Sequence, residues 1–295
     1  MLSVKKLSFE YKKNVPILKN VNFTLRKGVT LLVGENGSGK STLIQVLTKA
    51  FATESDIFWN EEKLDNISLK EKMAYLPQKF EVYPSVKVKD LLEFVALARG
   101  IKKSDIKKEV AEVARKVNID SYLQQKIRKC SIGTKQRVGI ASTLLGNAEI
   151  VIMDEPTAGI DPKERVRFYQ IVKDFLADKT VLISTHILDD IEILADNVLM
   201  LSNGEITFDG DYQKFLHSLD GLLFRIELSR LKESDLMQCV HVLKQEREGD
   251  KIFYHVIAKN NSGEIESFAE QIKPTLEDLW NYYQERNRWE NGIEN

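Results

Sequence analysis

Gly34-Glu35-Asn36-Gly37-Ser38-Gly39-Lys40-Ser41-Thr42 is the stretch from which the fold can be read. It follows an apolar run, Val29 to Val33, that predicts a buried strand, and it opens into Thr42-Leu43-Ile44-Gln45-Val46-Leu47, which predicts a helix. Strand, glycine-rich turn and helix with a lysine in its first turn form the context of a phosphate-binding loop. The glycines let successive backbone N–H groups converge where a side chain would block them. The helix N-terminus adds partial positive charge and unpaired donors. In such a loop Lys40 reaches the β- and γ-phosphates and the Ser41 hydroxyl ligates Mg²⁺. The plainer alternative is a flexible Gly-Ser loop ending in a solvated lysine; the flanking strand and helix argue against it. The loop alone leaves open which phosphate chemistry it serves.

The 295 residues suffice for one large domain and a small one. Hydrophobic residues make up 43% and charged residues 29%, as in an ordinary globular protein. Lys and Arg number 43 against 44 Asp and Glu, a net charge of -1 that makes no electrostatic case for nucleic acid. Cys130 and Cys239 do not form a disulfide framework, which points to a reducing interior. Met1-Leu2-Ser3-Val4-Lys5-Lys6 shows no apolar core flanked by a cleavage site, so no signal peptide is expected, and no apolar run reaches the length of a membrane span. Work at a membrane would need another chain to supply the spans.

Residues 2–9 and 21–25 alternate apolar and polar, predicting antiparallel strands, with Asn14 and Pro16 between them. Short strands are expected at Asp56–Asn60 and at Ala74–Gln78, the latter stopped by Pro77. From about 86 to 148 the period becomes helical, with Ile106, Val110, Val113 and Val117 on one face and Ser104 as a candidate cap. Strands return at Glu149–Met153 and Thr180–Ser184 as continuous apolar runs, suited to burial on both faces. A helix over about 162–177 joins them into a βαβ unit. Two further strands, 198–201 and 205–208, flank the turn Ser202-Asn203-Gly204. A boundary is expected near Asp220-Gly221. Beyond it the pattern predicts a strand at Phe224–Leu228, a helix near 232–247, a strand near 251–259 and a helix near 264–272. A last helix follows Pro274, with Thr275 as N-cap and Asp278 three residues on.

Ile150-Val151-Ile152-Met153-Asp154-Glu155 places two carboxylates at the C-terminal end of a buried strand, the edge at which open parallel sheets bind ligands. The first suits Mg²⁺; the second can orient or deprotonate a water for attack on the γ-phosphate. Solvated acids at a strand end are the plainer alternative.

Taken together, Gly34 to Thr42, Gln78, Cys130 to Arg137, Asp154-Glu155-Pro156-Thr157-Ala158-Gly159-Ile160-Asp161 and Ser184-Thr185-His186 resemble, in order and spacing, the ATP-binding subunit of an ABC transporter. The likeness covers about residues 1–215, and its tail Pro274–Leu279 resembles the drug- and peptide-resistance exporter group. The resemblance implies an α/β fold: a P-loop NTPase of ABC type with a mixed sheet core, an antiparallel β subdomain and a helical insertion, plus a small C-terminal α+β domain. It divides the chain into an ATPase domain, 1–220, whose helical subdomain covers about 79–148, and an accessory domain, 221–295.

The cofactors it implies are ATP and Mg²⁺. Residue by residue, it makes Tyr11 the aromatic that stacks on adenine, and Gly34, Glu35, Asn36, Gly37, Ser38, Gly39, Lys40, Ser41 and Thr42 the nucleotide cradle. Ser41, Gln78 and Asp154 become the metal ligands, with Gln78 also hinging the helical insertion. Glu155 becomes the catalytic base, assisted by Lys40 and by His186 as γ-phosphate sensor, and Asp161 the residue that crosses to a partner subunit. Asp161-Pro162 is also a good helix start. The family's Leu-Ser-Gly-Gly-Gln signature is here Cys130-Ser131-Ile132-Gly133-Thr134; Ser131 and Gly133 remain as ligands of a γ-phosphate on the opposite subunit. Were the Ile132 position one of positive φ, a β-branched residue there would be strained. Cys130 reads as a packing residue in place of Leu rather than a redox sensor.

The implied assembly is a dimer of ATPase subunits around two ATP, on the inner face of the cell membrane, driving a separate permease, in the direction of export by analogy. Phe80 and Tyr83 are candidates for permease contact, with Leu92 expected in the core. Trp280, Tyr282, Tyr283 and Trp289 suit either an interface or packing within the appendage. Two other readings stand beside this one: a soluble ABC ATPase acting on ribosome or DNA, and a non-catalytic regulatory subunit. The single P-loop, the absence of sustained heptads and the charge argue against the first; Lys40, Glu155 and His186 argue against the second.

Overall fold

The computed structural model describes residues 1–48, 56–80, 82–227, 229, 239–259, 265 and 269–290. The chain divides into two compact units, Met1–Asp209 and Gly210–Asn295.

The first unit is built on two sheets. A six-stranded sheet runs in the order β10-β9-β3-β8-β7-β6, from β3 (Gly28–Val33), β6 (Met73–Leu76), β7 (Ile150–Asp154), β8 (Thr180–Thr185), β9 (Asn197–Ser202) and β10 (Glu205–Asp211). The pairs β3–β8, β3–β9, β6–β7 and β7–β8 are parallel. Every residue of β3, β7, β8 and β9 is buried, which is why these segments read as unbroken apolar runs. An antiparallel sheet, order β2-β1-β4-β5, comprises β1 (Leu2–Lys12), β2 (Val15–Leu25), β4 (Asp56–Trp59) and β5 (Glu62–Lys63). Leu2, Val4 and Leu7 from this sheet share one core with Leu32, Ile150 and Leu182 of the other. Helix α1 (Lys40–Leu47) contributes Leu43, Ile44, Val46 and Leu47 to that core, none of them with any exposed surface.

Helices α3 (Val88–Ala98), α4 (Ile106–Lys116) and α5 (Ile132–Leu144) form the helical insertion between β6 and β7, preceded by the short α2 (Asn66–Lys72). Val110 and Val113 bury the predicted face of α4, and Leu92 of α3 is fully buried. Helix α6 (Pro162–Leu176) completes the βαβ crossover between β7 and β8, and α7 (Leu188–Leu194) connects β8 to β9. The β9–β10 turn has positive φ at Asn203 and Gly204, as a tight two-residue hairpin requires.

The second unit holds α8 (Tyr212–Leu216), an antiparallel sheet of order β12-β13-β11-β14, and the helix Leu276–Glu290. Its strands are β11 (Leu223–Glu227), β12 (Val240–Glu248), β13 (Lys251–Ala258) and β14 (Glu270–Gln271). The expected Thr275–Asp278 capping box forms: Asp278 Oδ2 accepts from the Thr275 N–H at 2.9 Å, and Thr275 Oγ1 accepts from the Asp278 N–H at 3.3 Å. Asp278 is fully buried, and its Oδ1 lies 2.8 Å from His255 Nδ1, whose Nε2 lies 3.1 Å from Glu246 Oε2. The four aromatics of this helix include intrachain packers: Tyr283 stacks on Phe215 with centroids 5.5 Å apart, and Trp289 on His241 at 4.2 Å.

Four sequence expectations are corrected here. Residues 240–247, placed in a helix near 232–247, belong to β12; a register shift between Val242 and Lys244 breaks the two-residue alternation that marks a strand. Residues 232–238 lie outside the described residues. In the segment near 264–272, Glu270–Gln271 is strand rather than helix, and 264 and 266–268 lie outside the described residues. Strand β2 starts at Val15 and contains Pro16; it tolerates proline because β2 is the edge of its sheet. Asp105, not Ser104, occupies the N-cap position of α4, and its side chain makes no capping hydrogen bond.

Asp278→Ala removes the capping acceptor and leaves a buried imidazole without one of its carboxylates. The second unit is expected to lose roughly 3 kcal/mol of stability. Hydrogen exchange across 276–290 should accelerate; unchanged protection would contradict the role assigned to Asp278.

Candidate active site

Parallel register brings the predicted site residues to one edge of the sheet. Leu32 pairs with Ser184 and Val33 with Thr185, while Asp154 pairs with Ser184 and Leu76 with Met153. The loops that leave β3, β6, β7 and β8 at this edge carry Gly34–Gly39, Gln78, Glu155 and His186.

Backbone geometry shapes the loop 34–39. Gly37 and Gly39 hold φ of +89° and +108°, a region that side chains disfavour. Gly34 is constrained by space: a Cβ there would lie 2.2 Å from the Leu201 carbonyl oxygen and 2.8 Å from Ser38 Oγ. The loop is anchored by the Gly204 N–H donating to the Ser38 carbonyl at 3.0 Å and by Leu43 N–H donating to Gly39 at 2.8 Å.

Lys40 is 4% exposed and curls back over the loop, donating to the Gly34 carbonyl at 2.7 Å and the Glu35 carbonyl at 2.9 Å. Burial pushes its pKa down, against the raising influence of Glu155, Asp154 and Glu35. Ser38 Oγ is buried and has no hydrogen-bond partner among the described residues. Positive φ at Gly37 and Gly39 and the start of α1 at Lys40 are the backbone features of a phosphate-binding loop.

Across from the loop, Asp154 is 3% exposed, and burial raises its pKa while hydrogen bonds from Ser184 and Ser41 oppose the shift. Ser184 Oγ donates to Asp154 Oδ1 at 2.6 Å and accepts the Glu155 N–H at 2.8 Å. Ser41 Oγ lies 3.4 Å from the same Asp154 oxygen. One hydroxyl, one carboxylate and the Gln78 amide oxygen are hard oxygen donors, few in number. That fits Mg²⁺, which keeps waters and phosphate oxygens as its remaining ligands.

Glu155 departs from the strand with φ of 44°, an unusual conformation for a residue with a side chain and one that stores of order 1–3 kcal/mol. The turn aims its carboxylate at two neighbours. Gln78 Nε2 donates to Glu155 Oε2 at 2.8 Å, and His186 Nδ1 lies 3.4 Å from Oε1. Tyr11 is 54% exposed, its hydroxyl 3.3 Å from Thr42 Oγ1 and 3.2 Å from Gln45 Oε1 of α1 and its ring edge-to-face with Phe9 at 5.0 Å.

Ser131, Gly133 and Asp161 have their hydrogen-bond and packing partners elsewhere. Asp161 caps α6, accepting the Glu164 N–H at 3.0 Å. Ser131 caps α5, accepting the Thr134 N–H at 3.1 Å. A Cβ on Gly133 would meet Glu164 Cγ at 2.7 Å. Ile132 opens α5 and is not among the residues of positive φ, so it carries no backbone strain; its side chain is 69% exposed. Gln136 Nε2 donates to the Pro156 carbonyl at 2.6 Å, linking α5 to the loop after Glu155.

Two residues belong to this constellation without having been singled out. Ser184 was visible only as part of Ser184-Thr185-His186. Asp190, 1% exposed, accepts from Thr157 at 2.9 Å, from Tyr169 and from Thr185, and so ties the segments flanking Glu155 and His186 to one carboxylate. An acidic residue in the sequence Leu188-Asp189-Asp190 gives no sign of which carboxylate turns inward.

Residues 18–158 match the family model described as "ABC transporter". The lantibiotic transport ATP-binding protein SrtF of Streptococcus pyogenes is 31% identical over 215 residues, covering 72% of this chain and 91% of that protein. The linearmycin resistance ATP-binding protein LnrL of Bacillus subtilis is 29% identical over 243 residues, covering 80% and 78%. A solved structure titled "Structure of ATP binding subunit of ABC transporter" matches with a TM-score of 0.66 at 25% identity, over 74% of this chain and 93% of that one. Other relatives are longer: the chain spans 15% of one human protein and 38% of one from Streptococcus mutans. No helix among the described residues is long and apolar enough to cross a membrane.

Gly34→Ala places a methyl group inside van der Waals contact of the Leu201 carbonyl. Nucleotide affinity, measured by isothermal titration, should fall at least ten-fold. Wild-type affinity would show that the loop yields where its packing says it cannot.

Proposed function

The chain belongs to the ATP-binding proteins of ABC transporters, a family that hydrolyses ATP to power transport, and from that membership we propose the following reading of its site. Two copies close around two ATP molecules and drive a separately encoded permease, from the inner face of the membrane, in the direction of export. The carrying observation is the convergence of Lys40, Ser41, Asp154, Glu155, Gln78 and His186 at one sheet edge, beside the glycine-rich loop that opens α1. SrtF and LnrL, whose names refer to lantibiotic transport and linearmycin resistance, support the exporter reading.

In this reading the backbone of Gly34–Thr42 encloses the phosphates, and Lys40 exchanges its two loop carbonyls for β- and γ-phosphate oxygens. Tyr11 offers its exposed ring to the adenine. Ser41, Asp154 and Gln78 would hold Mg²⁺, which supplies charge neutralisation at the phosphates. Glu155 is the general base. Gln78 and His186 hold its carboxylate, and His186 also lies where the γ-phosphate would arrive. Ser131 and Gly133, at the N-terminus of α5, face the γ-phosphate bound by the partner subunit, and Asp161 crosses the same interface. Each site then needs two subunits, so ATP holds them together and its hydrolysis releases them.

The helical insertion supplies the surface for the permease. Tyr83 is 81% exposed and Phe94 67% exposed, whereas Phe80 is half-buried, its ring edge near the Gly139 backbone. Tyr83 and Phe94 are therefore the stronger contacts for an apolar partner helix.

Glu155→Gln keeps the shape of the side chain and removes the base. ATP binding should persist, turnover should fall at least 100-fold, and the ATP-bound dimer should become long-lived enough to isolate by gel filtration. Turnover within a few fold of wild type would exclude Glu155 as the base. Lys40→Ala should abolish nucleotide binding, measured by fluorescence of a labelled ATP; retained affinity would remove the P-loop assignment.

A further inference from the structure

Helix α5 carries a hydroxyl pair that the altered signature creates. Ser131 Oγ and Thr134 Oγ1 are 2.9 Å apart, a distance at which one donates to the other. Ser131 Oγ also accepts the Thr134 backbone N–H at 3.1 Å. Thr134 is 2% exposed, while Ser131 is exposed. Beyond Ser131, the Thr134 hydroxyl has one further neighbour, Arg137 Nη2, at 3.5 Å. A guanidinium only donates.

Counting protons assigns the direction. Among the described residues, the Thr134 proton has a single acceptor within reach, Ser131 Oγ. Were Ser131 to donate instead, a buried hydroxyl proton would be left unpaired, at a cost of the desolvation of that group. Ser131 faces no such penalty, because its own proton can go to water or to a ligand. Ser131 Oγ thus accepts two hydrogen bonds and directs its proton outward. An oxygen that accepts two hydrogen bonds is also a stronger donor. Arg137 is held in turn, donating to the Asn118 carbonyl at 2.7 Å and lying 3.2 Å from Glu164 through Nε, so the chain of groups behind Thr134 is fixed.

We propose that Thr134 is a positioning residue that presents the Ser131 hydroxyl, proton outward, to a nucleotide phosphate oxygen. This deepens the assignment of Ser131 to the partner subunit's γ-phosphate and rests on it. The threonine stands where the family pattern has glutamine, so the device belongs to this chain's own signature.

The test is a cycle of Thr134→Val, which matches threonine in shape and lacks the hydroxyl, with Ser131→Ala in the full-length protein. Thr134→Val should lower kcat about 3- to 10-fold, the worth of one modest hydrogen bond, with monomer ATP affinity within two-fold of wild type. In the Glu155→Gln background it should weaken ATP-driven dimerisation by a similar factor. Thr134→Ser should restore both. In the presence of Ser131→Ala, Thr134→Val should have no further effect, because the group it orients is gone. An undiminished effect there would mark Thr134 as a packing residue and overturn the proposal, as would wild-type kcat for Thr134→Val while Ser131→Ala is impaired. Wild-type kcat for Ser131→Ala would instead overturn the phosphate assignment of Ser131, and the proposal with it. If Thr134→Val does not fold, judged by its melting transition, Thr134→Ala replaces it in the same cycle.

Discussion

The hydroxyl of Ser184 joins the fold of this chain to its chemistry. It donates to Asp154 Oδ1 and accepts the backbone N–H of Glu155, so one atom fixes the buried carboxylate and the residue after it. That contact exists because β7 and β8 pair in parallel with Asp154 level with Ser184. A slip of one residue would turn Ser184 to the opposite face of the sheet. The continuous apolar runs on both strands, buried on both sides, make such a slip costly only through packing; the serine adds a polar reason. It also explains how Asp154 stays usable. Burial raises its pKa, and the two hydroxyls at its oxygen favour the charged form that a metal needs.

From the same edge, Glu155 takes the strained backbone turn. The strain is not free-standing: the N–H of Glu155 is held by Ser184 and its carboxylate by Gln78. Beyond this turn the side chain meets Gln78 and His186, on the loops that follow β6 and β8. The segments carrying Thr157 and Thr185 are then bound to Asp190, which buries a carboxylate among three hydroxyl donors. Neutral donors stand in for water around that charge. The loops after β7 and β8 are thus tied to side chains on β8, α6 and α7.

Legibility in the sequence follows the range of the interaction that decides each feature. The loop 34–42, β7 and the Thr275–Asp278 capping box depend on residues within a few positions of one another, and each is where the sequence places it. Glu155 is legible as the second of two carboxylates at a strand end, whereas Gln78 and His186 rest on the resemblance; the mutual contacts of the three depend on strand order and are not readable from spacing. β12 was misread because a bulge near Lys244 disrupts the alternation and its side chains are largely polar, held by cross-strand pairs such as Arg225–Glu248. Asp190 was missed because one of two adjacent acids turns inward, and only the tertiary hydroxyls that meet it decide which.

The signature segment shows where the same logic permits variation. Glycine persists at 133, where the Glu164 side chain closes to within 2.7 Å of any added carbon. It has given way at 132, where the backbone is helical and the isoleucine projects into open space. Packing within one subunit therefore requires the second glycine and not the first. Position 134, glutamine in the family pattern, is threonine here, and among the described residues its buried hydroxyl has one place to send its proton. What the altered motif retains is the outward serine donor at a helix N-terminus. That group is the part of the pattern that a phosphate could sense, and the residues around it are free to change so long as they keep it in place.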